Sequence, residues 1–300
     1  MPMRPLGATG VKVSLLGLGG WHVGVSSLTD GEAVRMIRTA IDGGINFLDN
    51  AREYNDGRSE ERVGTALAGP WRDRVFLMTK SCAHTRNRAD SMKSLEESLR
   101  ALKTDRIDLW LFHEVVYDND PEWIFTRGGL AAAIQARQQG KVRFLGFSGH
   151  KHPDIHLDML GRPFRWDAVM MPLNVVDAHY RSFEKRVLPE AVKRNLGVIA
   201  MKSLGGFMSR LLEQTKLDPE ECLRYVMSLP ISTVVSGMEN PHLLEANLAL
   251  ARRFMPLTEA ERTRILAASA PAAGDGRCER YKSTTDFDAR PGQAAHGLVK

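Results

Sequence analysis

Cysteine is scarce in this 300-residue chain: Cys82, Cys222 and Cys278 stand far apart, with no C-x-x-C pair among them. An odd, scattered set builds neither a disulfide framework nor a thiolate zinc site, and it fits a reducing compartment. Long apolar runs are missing too. No window approaches the roughly 20 apolar residues that a membrane span requires. The opening MPMRPLGATG lacks the apolar core of a signal peptide, so a cytoplasmic location is expected. Blocks of like charge are also lacking. Lys and Arg number 41 against 36 acidic residues, a formal +5, yet they are scattered and never interleave with aromatics into a basic patch. That argues against a nucleic-acid partner. Low-complexity tracts and domain linkers are absent as well. What remains, 43% hydrophobic and 26% charged, is the composition of an ordinary globular enzyme.

Apolar strand-like runs alternate with amphipathic stretches, and the alternation can be counted. VSLLGLGG (13–20), INFLD (45–49), VFLMTK (75–80), IDLWLFH (107–113), VRFLGFS (142–148), DAVMMPLN (167–174), GVIAMK (197–202) and STVVSG (232–237) read as strands. Helices are expected from Thr29, where Thr29 and Glu32 form a capping box, and near 59–68, 90–103, 127–139, 153–160, 182–195, 219–228 and 241–254. Short continuous apolar runs are what strands buried on both faces require. Eight strand–helix units joined by right-handed crossovers predict an α/β fold, a single-domain (β/α)8 TIM barrel. Residues 1–12 are expected to pair as a short hairpin over the barrel floor. The barrel is assigned to 1–267, and 268–300 to an irregular C-terminal tail that either crosses the barrel mouth or is disordered.

Four side chains stand at or just past strand C-termini: Asp49, Tyr54, Lys80 and His113. In a parallel barrel all such ends face one mouth, so the four should converge. A phenol beside a buried ammonium and a carboxylate suits proton transfer to a carbonyl oxygen. Taken singly each has a plainer reading: Asp49 caps a loop, Tyr54 fills core, Lys80 is a solvated strand end, His113 is a satisfied buried histidine.

The stretch NFLDNAREYNDGRSEERVGTAL, with its Asp-x-x-x-x-Tyr pair, resembles the signature of the aldo-keto reductase family. MTK, LFH, GFSGH and SGMENPHLLEANLALA follow in the family's order, so the resemblance covers about residues 4–255. It implies an NAD(P)H-dependent oxidoreductase that reversibly reduces an aldehyde or ketone. Tyr54 would be the general acid, Lys80 would stabilise the phenolate and lower the Tyr54 pKa, Asp49 would hold Lys80, and His113 would donate to or orient the carbonyl oxygen. It also implies a dinucleotide along the mouth, NADP(H) with NAD(H) possible, bordered by Gly20 and Trp21 and bound at Ser148. Lys202, Ser203, Leu204 and Gly205 would approach the pyrophosphate, with Gly206 beside them. Gly237, Met238, Glu239 and Asn240 stand where the 2′-phosphate is held in NADPH-preferring members, and Asn247 where adenine is contacted. Glu239 there suits a ribose hydroxyl better than a phosphate. Two positions depart from the pattern: Gly149 and Met170 replace an Asn and a Gln, and Asn174 is the expected substitute donor.

GLGGWH (17–22) fails as a Rossmann glycine motif at His22, and GFSGH fails as a nucleophile elbow at His150. His150 and His152 in HKHPDIH leave a metal-dependent hydrolase as a rival, opposed by Lys80 and Lys202 at neighbouring strand ends; no metal is expected. A dinucleotide-binding regulatory subunit of the same fold is the other alternative. The partner is expected to be a small-molecule carbonyl or alcohol. Trp21, Trp110, Glu114 and Trp123 are candidate pocket residues by position. Arg277, Arg280, Tyr281 and Lys282 are tail residues that would either close over substrate or be solvated.

Overall fold

The eight apolar runs form eight short strands because each must bury both faces, and only closure satisfies every strand edge. In the computed structural model, which describes residues 1–299, an antiparallel hairpin, β1 (Met3–Pro5) and β2 (Lys12–Ser14), precedes the barrel. The barrel strands are β3 (Leu16–Gly19), β4 (Phe47–Asp49), β5 (Phe76–Ser81), β6 (Ile107–Phe112), β7 (Val142–Ser148), β8 (Ala168–Pro172), β9 (Gly197–Met201) and β10 (Thr233–Ser236). They pair in parallel, in chain order, and β10 closes on β3.

Side chains fill the barrel interior. Phe47 and Phe76 stack at 5.6 Å in register across β4 and β5, packed with Met78, Leu109, Leu111, Ala168, Met170 and Ile199. Leu6 and Val13 of the hairpin belong to the same cluster, so the hairpin forms the floor. Arg4 secures it by donating to the carbonyls of Met227 (2.8 Å), Leu229 (3.2 Å) and Ile231 (3.0 Å), at and beyond the C-terminal end of the helix Pro219–Ser228. Those are carbonyls a helix end leaves open.

The helices fall where periodicity put them, with informative exceptions. The Thr29–Glu32 capping box opens Asp30–Asp42. The stretch 182–195 is two pieces, Phe183–Arg186 and Leu188–Lys193, with Pro189 in the first turn of the second. A short helix, Asp120–Thr126, precedes Gly129–Gln138. The C-terminal region is more regular than expected. A 15-residue helix, Glu259–Ala273, runs through the 267/268 division and starts at a capping box of its own, Thr258 with Glu261. Beyond it, Arg290–Ala295 is helical. No helix among the described residues is long and apolar enough to cross a membrane.

Leu6 is fully buried in the floor. Leu6→Ala should therefore cost about 2–5 kcal/mol of unfolding free energy through the cavity it leaves. Urea denaturation reads this directly, and wild-type stability in the variant would show that the hairpin does not help hold the barrel.

Candidate functional site

The short β4 delivers Asp49 to the mouth, and the chain then turns sharply into a 3-10 segment, Tyr54–Gly57, with Asn55 and Asp56 at φ of 53° and 57°. Asn55 is held there by its amide, which donates to the Trp21 carbonyl at 2.7 Å. Gly20 permits the close approach on the other side, since a Cβ there would lie 2.3 Å from the Asp49 carbonyl oxygen. Lys80 projects from β5 toward this turn. Its ammonium donates to Asp49 Oδ1, to the Asn50 carbonyl at 2.8 Å and to the Tyr54 hydroxyl oxygen at 2.8 Å. All three N–H bonds are thus used. Because an ammonium only donates, Tyr54 accepts, and its own hydrogen is left for another partner. Asp49, Tyr54, Lys80 and His113 all line one cavity of about 670 Å³ at the C-terminal mouth.

His113 makes a T-shaped contact with Tyr54, the ring centroids 5.9 Å apart. Its Nδ1 lies 2.8 Å from Glu53 Oε2, while Glu53 Oε1 lies 2.6 Å from His84 Nε2. Burial alone would raise the Glu53 carboxyl, but the bonds from His113 and His84 outweigh it and hold it well below the ordinary carboxylate range. Burial pushes His113 down to about 4, despite the upward pull of Glu53. An ionised carboxylate at Nδ1 places the hydrogen of a neutral ring there and leaves Nε2 as an acceptor. Glu53 and His84 were missed by sequence reasoning, although each stands close to a strand end, in AREY and in TKSCAH.

One electrostatic expectation is corrected. The Tyr54 phenol is not drawn down by Lys80; burial first, and then the charge of Asp49 with Cys82, Glu114 and Glu53, push it well above its usual value. Lys80 touches the phenol, but Asp49 in contact with the same ammonium offsets its charge. Tyr54 is therefore held firmly protonated.

The expected cofactor positions divide. Trp21, Ser148, Lys202, Ser203, Leu204, Gly206 and Gly237 face the cavity, Gly19 does so where Gly20 was expected, and Gly205 lies outside the lining. Met238 is buried, Asn240 caps the helix Pro241–Arg252 by accepting from the Leu243 N–H, and Asn247 donates to Ser236 Oγ at 3.1 Å. Glu239 is exposed. Asn174 is no substitute donor here: its amide donates to Glu279 and to the Tyr281 hydroxyl, each at 3.0 Å. Gly149 has a steric cause. A Cβ there would lie 2.2 Å from the Val115 carbonyl oxygen, because the loop after β6 bonds to β7 through Val115 N–H and the Ser148 carbonyl at 2.8 Å.

The tail makes part of the wall. Asp286, Phe287, Asp288 and Ala289 line the cavity. Buried Lys282 anchors the segment through Asp177 (2.6 Å), Glu279 (2.8 Å) and the Tyr180 carbonyl (2.8 Å). Tyr281 is buried as well, whereas Arg277 and Arg280 pair with Asp275 and Asp286 at the surface. Of the positional guesses, Trp21 and Glu114 face the cavity, while Trp110 is core and Trp123 stacks on His296. His152 caps the helix Pro153–Gly161, accepting from Asp154 N–H, so it does not join His150 at the mouth. Among the described residues the spacing for a metal ion occurs instead at Glu53, Cys82 and His113. There the carboxylate is already shared by two histidines, and Lys80 adds positive charge.

Three buried histidines set an acid limit. Burial pushes His113 and His156 down to about 4 and His150 to about 3. In the unfolded chain each takes up a proton near its ordinary 6.5, so stability falls as pH drops from about 6.5 toward about 4. Glu53, held low when folded, adds a loss below its ordinary range. Glu114, raised to about 7, works the other way between about 7 and 4.5, and Asp49, Glu60, Asp167, Glu184 and Glu279, which burial also raises, do so just above their ordinary ranges; His22, His152 and His179 are lowered and act with the three. The urea midpoint should therefore fall as pH drops from about 6.5 to about 5, where the histidines outnumber Glu114; a level profile there would contradict the neutral buried histidines.

Comparison with known proteins agrees with this geometry. The family model described as "Aldo/keto reductase family" matches residues 15–221. The Bacillus subtilis aldo-keto reductase YhdN is 29% identical over 217 residues, 68% of this chain and 62% of its own length, so the match spans less than two thirds of that relative. A 6-dehydroglucose reductase of Novosphingobium aromaticivorans is 30% identical over 219 residues, 68% of this chain and 69% of its own. The holo form of aldo-keto reductase AKR11C1 from Bacillus halodurans superposes with a TM-score of 0.78 at 26% identity, covering 93% of this chain and all of that one. With a closed eight-stranded barrel, a tyrosine–lysine–aspartate cluster at its mouth and a family match over most of its length, this chain belongs to the aldo/keto reductase family of oxidoreductases.

Proposed function

We propose that the chain reversibly reduces an aldehyde or ketone to an alcohol, with NADP(H) as hydride source and NAD(H) as the alternative. The observation that carries this reading is the Lys80 ammonium, bonded at once to Asp49, to the Asn50 carbonyl and to the Tyr54 oxygen inside the cavity. A nicotinamide held along the mouth by Ser148, Lys202 and Ser203 would supply the hydride for the carbonyl carbon. Tyr54 supplies the proton to the oxygen, its hydrogen being the one Lys80 does not engage. As the phenolate forms, the ammonium 2.8 Å away stabilises it, and Asp49 keeps that ammonium in place. His113, neutral with Nε2 an acceptor, orients the site without donating to the substrate oxygen.

The residues fit a dinucleotide in part. Ser203 Oγ is buried and unpartnered among the described residues, and Lys202 stands beside it in the cavity wall, a pair suited to phosphate oxygens. Gly149 and apolar Met170 leave Ser148 as the carboxamide partner of that trio. Its hydroxyl now donates to the Phe112 carbonyl at 3.3 Å, a long bond that a ligand can replace.

Tyr54→Phe removes the proton donor and, with it, the acceptor of one Lys80 N–H. Turnover on aldehydes should fall by about 10²–10⁴-fold, while NADPH binding, read by quenching of Trp21 fluorescence, is retained. Undiminished turnover would reject the assignment of Tyr54. Tight NADPH binding by the wild type without turnover of any carbonyl would favour a nucleotide-sensing protein instead.

A further inference from the structure

The loop after β6 carries a second acid into the same cavity. Glu114 follows His113 directly and holds a φ of 46°, a left-handed conformation that a non-glycine residue keeps only where its surroundings enforce it. Those surroundings are specific. Arg86, fully buried, donates to the Glu114 carbonyl at 2.8 Å and to Asp120 Oδ1 at 2.8 Å. Asp120 in turn accepts from the N–H groups of Val116 (2.9 Å) and Tyr117 (3.0 Å). From the tail, the Ala289 N–H donates to Glu114 Oε2 at 2.8 Å. One carboxyl oxygen is therefore pinned, and the other has no hydrogen-bond partner among the described residues although the side chain lines the cavity.

We propose that Glu114 is a specificity-determining residue whose Oε1 accepts a hydrogen bond from a substrate hydroxyl next to the reacting carbonyl. The cavity would then select hydroxy-aldehydes and hydroxy-ketones over their deoxy analogues and over oxo acids. This rests on the reductase reading above. Sequence adjacency to His113 puts the carboxyl within a side chain's reach of the carbonyl that Tyr54 protonates. An ammonium group on the substrate would meet Lys202 in the same cavity. A carboxylate would meet a like charge at Glu114. A hydroxyl meets neither penalty, and a substrate without one shuts water off from that oxygen and leaves it unpaired. Burial and the charge of Glu53 push the Glu114 carboxyl up to about 7, so above that pH it is mainly an ionised acceptor.

The test measures kcat/KM of the full chain with NADPH at pH 8 on three two-carbon aldehydes: glycolaldehyde, acetaldehyde and glyoxylate. The wild type should prefer glycolaldehyde to acetaldehyde by about tenfold or more, as sites built to bind a hydroxyl do. Glu114→Leu should bring that ratio to about one. Glu114→Gln should keep part of it and raise the relative rate on glyoxylate. Ala289→Pro, at a residue whose φ of −59° suits proline, removes the pinning N–H and should lower the ratio without altering the carboxyl. It also answers the question if Glu114→Leu does not fold. A wild-type ratio near one, a preference for glyoxylate, or a ratio unmoved by all three substitutions would overturn the role of Glu114 while leaving the reductase reading intact. Failure to turn over any of the three aldehydes would take down the reductase reading, and this inference with it.

Discussion

Everything at the barrel mouth is arranged around one saturated ammonium. Lys80 is buried, and burying a charge is tolerable only when it is paired and its donors are used. Asp49 supplies the counter-charge, the Asn50 carbonyl takes the second hydrogen, and the Tyr54 oxygen takes the third. The tight turn through Asn55 and Asp56, the small residue at Gly20 and the Asn55 bond to Trp21 all bring that phenol into position. The chemistry follows from the count of hydrogens, because a tyrosine that must accept from lysine directs its own proton elsewhere.

Around this centre the acid–base character is set by desolvation more than by pairing. Tyr54 rises, the buried histidines fall and Glu114 rises, all because the neutral form is favoured out of water. Glu53 and Asp288 are the exceptions: the bonds from two histidines keep Glu53 ionised, and His150 and Lys151 hold Asp288 low. The mouth therefore combines a protonated phenol, a neutral imidazole and the ionised carboxylates of Glu53 and Asp288, beside the Lys80–Asp49 pair.

The C-terminal segment completes the wall. Lys282, Glu279 and Asp177 form a buried ionic cluster that anchors it beside the loop after β8 and at the same time uses up the amide of Asn174. Residues 286–289 then reach Glu114 and Lys151 on the loops after β6 and β7. Pocket shape thus depends on contacts between residues far apart in the chain, Glu114 with Ala289 and Lys151 with Asp288, which no local pattern encodes.

The count of strands, the barrel, the floor hairpin and the four clustered residues were legible in the sequence, because burial on both faces dictates continuous apolar runs and parallel closure sends every strand end to one side. The capping box at Thr29 was equally legible. The one at Thr258 carries the same local signal but lay beside a stretch whose Ala, Gly and Pro content suggested no order. Only the tertiary structure decided that Asn174 faces the tail, that Gly149 is required by the Val115 carbonyl, and that Glu53 bridges two histidines. Each of these depends on distances across loops from different strands and on the removal of water. Periodicity sees neither, since it reports which residues share a face and not what they meet there.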